Sequence, residues 1–262
     1  MRMRAILAVA SVLVLAGSAP GALQVGDQFL VDVGVCWDGG TGYPGYGPVP
    51  DLDYWSGDYG AHGTPTAMIS DGNYWNNYSA KNGGAFAMQT TAGAQTSVTI
   101  NMNGWAVCGP GPGQVYGIDE VSNLYPSKAQ TDCRWWDDIH QPGEVYLTGL
   151  DTGLEYTIKC LSYVSDDAQT DFAGAFPHGT VDFVIGTDTV TIDPENNTTT
   201  LATFANISPD GNGDITIKMY ANTPDDCGVP LNVIDITVVP EPTAALLLAL
   251  GGGLAAWRRR RR

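Results

Sequence analysis

In the second half of the chain, short runs alternate apolar and polar side chains with a period of two, and glycine, aspartate or asparagine separates them. That period places one set of side chains on each face of a β-strand, with the apolar set turned to a core. Tyr156, Ile158 and Cys160 alternate in this way after a turn at Asp151 to Gly153, and the run continues as a buried strand. The stretch TVDFVIGTDTVTI predicts a hairpin turning at Gly186, Thr187 and Asp188. TLATFANISPDGNGDITIKMYA predicts a second strand pair turning between Ser208 and Gly213, and LNVIDITVV predicts one final strand. The fold class expected is all-β.

Composition supports that expectation. The 262 residues include 33 glycines and 16 prolines, which suit many turns between short strands, and 44% hydrophobic residues, enough for a buried core. Charge narrows the partners. The segment 23–239 holds 27 acids against 5 bases, a local charge of −22. Such a surface repels phosphate backbones and anionic head groups, so nucleic acid is excluded as an electrostatic partner. Cations and neutral polymers stay open.

The order of these runs, with FLVDVG near the start, GNYWNN at 72–77 and NLYPSKAQTD at 123–132, resembles a secreted bacterial module. That module is a jelly-roll-like antiparallel β-sandwich similar to galactose-binding-like domains, and the resemblance spans most of residues 27–237. The chain departs from it in an aromatic insert at 36–60 and in its cysteines.

Both ends read as trafficking segments. Arg2 and Arg4 precede an apolar run from Ala5 to Ala16 and then small residues, the three regions of a signal peptide over 1–22. At the other end Pro240, Glu241 and Pro242 lead into an apolar stretch over 243–257, then Arg258, Arg259, Arg260, Arg261 and Arg262. As a helix that stretch rises about 22 Å, short of the roughly 30 Å hydrocarbon core. Trp257 suits the interface and the arginines suit the cytoplasmic side.

The three parts in this order resemble the PEP-CTERM sorting tail. The resemblance implies handling by an exosortase-type processing enzyme at the inner membrane of a Gram-negative bacterium that makes extracellular polysaccharide. The prolines keep the recognition step extended and out of any sheet. The domain reading is therefore a signal peptide at 1–22, a sandwich at 23–239 and a sorting tail at 240–262.

The five cysteines are Cys36, Cys108, Cys133, Cys160 and Cys227. In an exported chain they favour disulfides, and the odd number leaves one over. Four cysteines can bridge in three ways, which the sequence leaves open. Cys108 and Cys133, flanking a glycine- and proline-rich loop, are the candidate pair. There is no CxxC spacing for zinc.

Catalytic signatures are absent. His62, His140 and His178 fall in separate loop-like stretches, without the helix or elbow contexts that catalytic or metal-binding histidines require. Acids are so abundant that a chance carboxylate pair carries no information. Asp210 to Asp214, DGNGD, begins like a calcium loop, but Ile215 and Ala221 stand where glycine and a bidentate glutamate are needed. A tight hairpin turn is the better account of it. A structural Ca2+ has no assignable ligands, and no other cofactor or metal is expected.

Aromatic faces that stack on sugars point to Tyr43, Tyr46, Tyr54 and Trp55 in the insert as glycan-binding candidates. Trp75 and one of Trp135 and Trp136 are expected to cap the core. The function expected is that of an exported, non-enzymatic envelope or matrix protein with a structural or adhesive role, first held at the inner membrane. A carbohydrate-binding module is the alternative, and a hydrolase the weakest reading.

Overall fold

A computed structural model describes residues 21–34, 66–67, 71–79, 84–103, 107–108, 124–125, 133–136, 142–163, 179–195, 197–222 and 229–240. Helices are absent among these residues, and fifteen strands run through them. They are β1 (Gln28–Gly34), β2 (Thr66–Ala67), β3 (Tyr74–Ser79), β4 (Phe86–Gln89) and β5 (Gln95–Asn103). β6 (Val107–Cys108), β7 (Cys133–Trp136), β8 (Gly143–Thr148), β9 (Glu155–Leu161) and β10 (Val181–Ile185) follow. The last are β11 (Asp188–Ile192), β12 (Ala202–Ile207), β13 (Ile215–Ala221), β14 (Val229–Leu231) and β15 (Val233–Val239).

The first sheet has the order β12-β9-β15-β1-β3-β2 and the second β11-β10-β13-β8-β5-β4. A small third sheet has the order β14-β7-β6. Among the described residues every pairing is antiparallel except β1 with β3, where Leu30 lies beside Trp75 and Asp32 beside Asn77. The fold class is therefore all-β with two large, mainly antiparallel sheets, as the alternation predicted.

One core fills the space between the large sheets. Phe29, Val31, Tyr156, Ile158, Ile234 and Ile236 come from the first, and Ile100, Val145, Leu147, Phe183, Ile217 and Met219 from the second. The longer strands contribute alternate residues, and β8 reads buried and half-buried in strict succession. Cutting one of these side chains to alanine costs about 2–5 kcal/mol.

Polar side chains tie the sheets across this core. The backbone N–H of Met102 donates to Tyr78 Oη at 2.9 Å. Asn76 Nδ2 donates to the carbonyls of Leu30 and Gln89, at 3.1 and 2.9 Å, and its Oδ1 accepts from Gln89 N–H at 2.8 Å.

Two expectations are corrected. Asp210 to Asp214 does not close a hairpin, because β12 belongs to the first sheet and β13 to the second. The turn is an arch that carries the chain from sheet to sheet. Gly213, at φ +83, makes it possible, since an added Cβ would lie 2.5 Å from the Leu150 carbonyl oxygen. The final strand is also divided. Asn232 separates β14 in the small sheet from β15 in the first, and its Oδ1 accepts from Tyr163 N–H at 2.8 Å. The predicted hairpin over 180–192 does form, with Ile185 opposite Asp188, so Gly186 and Thr187 alone make the turn.

Candidate functional site

The outer face of the first sheet should be polar if it met only water. Instead it carries a second apolar cluster of Leu30, Trp75, Leu161, Tyr163 and Val233. These residues come from β1, β3, β9 and β15, together with the segment that follows β9. Trp75 is buried here, so it supports the outer layer and does not cap the main core as expected. Its indole Nε1 donates to Asp71 Oδ2 at 3.1 Å.

Tyr125, from the long connection between β6 and β7, packs edge-on against Trp75 with ring centres 6.1 Å apart. Its hydroxyl donates to Asp235 Oδ2 at 3.3 Å. Asp235 is buried beside this cluster, and its Oδ1 accepts from Gln28 Nε2 at 2.8 Å. Lys159 lies 3.9 Å from Oδ2. Burial, then the charge of Asp235, push the Tyr125 phenol well above its ordinary value and keep it a donor. Both oxygens of Asp235 are thus engaged in holding Tyr125 and the strands together. The arrangement docks Tyr125 onto the sheet.

The second sheet's outer face differs. Glu144 and Tyr146 on β8, Asn103 on β5 and Lys218 on β13 form a solvent-facing network. Tyr146 Oη donates to Glu144 Oε2, Asn103 Nδ2 donates to the same oxygen at 2.6 Å, and Lys218 lies 3.5 Å from Oε1. The hydrogen bond from Tyr146 holds the Glu144 carboxyl below its ordinary value, and the Tyr146 phenol is pushed up to about 12 by the same bond.

At the arch, backbone N–H groups of Asp214 and Asn212 donate to Asp210 Oδ1, at 3.0 and 2.8 Å, and hold that carboxylate below its ordinary value. The carboxylate is spent on shaping the turn. Among the described residues no group of three or more histidine, cysteine or acidic side chains could hold a metal.

The sequence-predicted positions fare unequally. Tyr43, Tyr46, Tyr54 and Trp55 lie outside the described residues, as do His62, His140, His178, Cys36, Cys227, Glu241, Pro242, Trp257 and Arg258 to Arg262. Pro240 is described and exposed. Cys108 and Cys133 are brought opposite each other across β6 and β7. Trp135 and Trp136 fall in β7, opposite Pro230 and Val229. Sequence reasoning did not find Tyr125 and Asp235, although Tyr125 lies in NLYPSKAQTD, one of the stretches that carry the module resemblance.

The fold defines an all-β, two-sheet sandwich. No family model and no curated protein matches the chain. Among solved structures, an exo-β-1,3-galactanase from Phanerochaete chrysosporium, determined with β-1,3-galactotriose, is similar at a TM-score of 0.26 and 12% identity. The similarity covers 66% of this chain and 32% of that one, and at that TM-score it carries no argument about function.

Proposed function

We propose that the chain is an exported, non-enzymatic envelope or matrix protein with a structural or adhesive role, sorted through a PEP-CTERM tail. Its sandwich we read as jelly-roll-like. The observation that carries the reading is where the two ends of the sandwich lie. Gly26 N–H donates to the Val238 carbonyl at 2.9 Å, and Val238 N–H donates to the Asp27 carbonyl at 2.8 Å. The stretches read as signal peptide and sorting tail therefore leave the sandwich from adjacent points. That arrangement suits a body held at a membrane by both stretches at one pole before processing. Beyond the membrane, the strongly acidic body can approach neutral polysaccharide without electrostatic penalty.

Replacing Pro240 and Pro242 by alanine tests this. In cells carrying the processing enzyme, the native chain is expected to lose its tail and reach the exterior. The double variant should keep its unprocessed mass and stay with the membrane, as followed by intact-mass measurement of cell fractions. The same mature form outside the cell from both chains would reduce the tail to a simple anchor.

A further inference from the structure

We propose that Cys108 and Cys133 form a cross-strand disulfide closing residues 109–132 into a covalent loop, and that Cys160 is the odd thiol, kept reduced in the core. Register carries the first part. β6 and β7 are antiparallel with Cys108 directly opposite Cys133 and Val107 opposite Arg134. Opposed residues in such a ladder have Cα atoms about 4.5 or 5.5 Å apart, depending on the hydrogen-bonding pattern. Both values fall within the roughly 4.4–6.8 Å that a disulfide spans. A slip of one residue would remove the opposition, and the pairing of β7 with β14 holds β7 from its other side.

Burial carries the second part. Cys160 lies in the main core among apolar side chains and is a free thiol. Burial, with Asp235 adding to it, pushes that thiol well above its ordinary value, so it supplies almost no thiolate to attack a disulfide.

The oxidant is a protein dithiol–disulfide donor of an oxidising compartment. One cysteine thiolate attacks the donor's disulfide and releases one donor thiolate. The second cysteine thiolate attacks this chain's sulfur in the mixed disulfide and releases the other. The chain loses two protons and two electrons, and the donor leaves as a dithiol. In the cell this step rests on the exported reading, whereas the register does not. The bridge would hold the loop at its base, while Tyr125 holds it further along against Trp75 and Asp235.

The test is peptide mapping of the full chain by mass spectrometry, without reduction, after free thiols are blocked. One sample comes from the producing cell and one is refolded in glutathione redox buffer. The refolded sample should yield the Cys108 and Cys133 peptides joined, with Cys160 labelled only on denaturation. If either cysteine is alkylated there, or joined to Cys36, Cys160 or Cys227, the proposal is overturned. A bridge in the refolded sample but free thiols in the cellular one supports the pairing and removes the exported reading. The double variant C108S/C133S should melt roughly 6–12 °C below the native chain in oxidising buffer and level with it under reductant. Equal melting in oxidising buffer would also count against the bridge.

Discussion

Tyr146 and Tyr156 respond to alkali for different reasons. Tyr146 donates a hydrogen bond to Glu144 on an open face, whereas Tyr156 is buried and its hydroxyl is bonded at Asp151. Both phenols are pushed from 10.0 up to about 12. An unfolded tyrosine ionises near 10, so the folded state gains from both groups below that pH and loses the gain as pH rises toward about 12. Glu144 works in the opposite sense. Its folded value is lowered, so its contribution is present above the ordinary carboxylate range and is lost on acidification through the folded value. The urea midpoint is expected to fall once pH passes 10, in step with a delayed tyrosinate absorbance titration. A phenol titration identical in folded and unfolded chain would contradict this. Such residues were not legible beforehand. Asp235 is one of 28 acids, and its partners Gln28 and Tyr125 lie 207 and 110 positions away. Nothing local distinguishes it from a solvated aspartate.

Strands were legible where burial alternates, and their partners much less so. The period of two reports which side chains face the core, and it says nothing about which sheet a strand joins. Gly186 and Thr187 return the chain along the same sheet, while Asp210 to Gly213 send it to the other with equally turn-forming residues. Asn232 is the sharper case, since LNVIDITVV reads as one apolar run. Its N–H donates to the Leu161 carbonyl at 3.0 Å and its carbonyl accepts from Val33 N–H at 2.8 Å, while the side chain receives Tyr163 N–H. Asn232→Ala keeps the backbone bonds and leaves the Tyr163 N–H without its acceptor in a buried place. The expected loss is about 1–3 kcal/mol in urea unfolding. A change within a few tenths would mean that the side chain is dispensable to the join between β14 and β15.

For the whole molecule, the all-β class and the net acidity followed from composition, because burial capacity and charge are sums over residues. The third sheet, the parallel pair and the covered outer face did not, because each depends on segments meeting from distant parts of the chain. The most distant meeting is that of β1 with β15, where Gln28 pairs with Thr237. β15 also pairs with β9 along its whole length, so it sits between β1 and β9 inside the first sheet. A chain ending at Asn232 is expected to show no cooperative urea transition, whereas the full chain should show one. An equal midpoint for both would mean that the rest of the sandwich is self-sufficient.

That connectivity also sets an order of events. Contacts between the first and last strands are the slowest kind to form, since almost the whole chain must be closed into a loop first. Until β15 is present, β1 and β9 have no strand between them, and the first sheet is in two pieces. For a chain threaded through a membrane from its N-terminus, the completing strand crosses last. A chain moved in that direction would complete its first sheet only after its last strand had crossed.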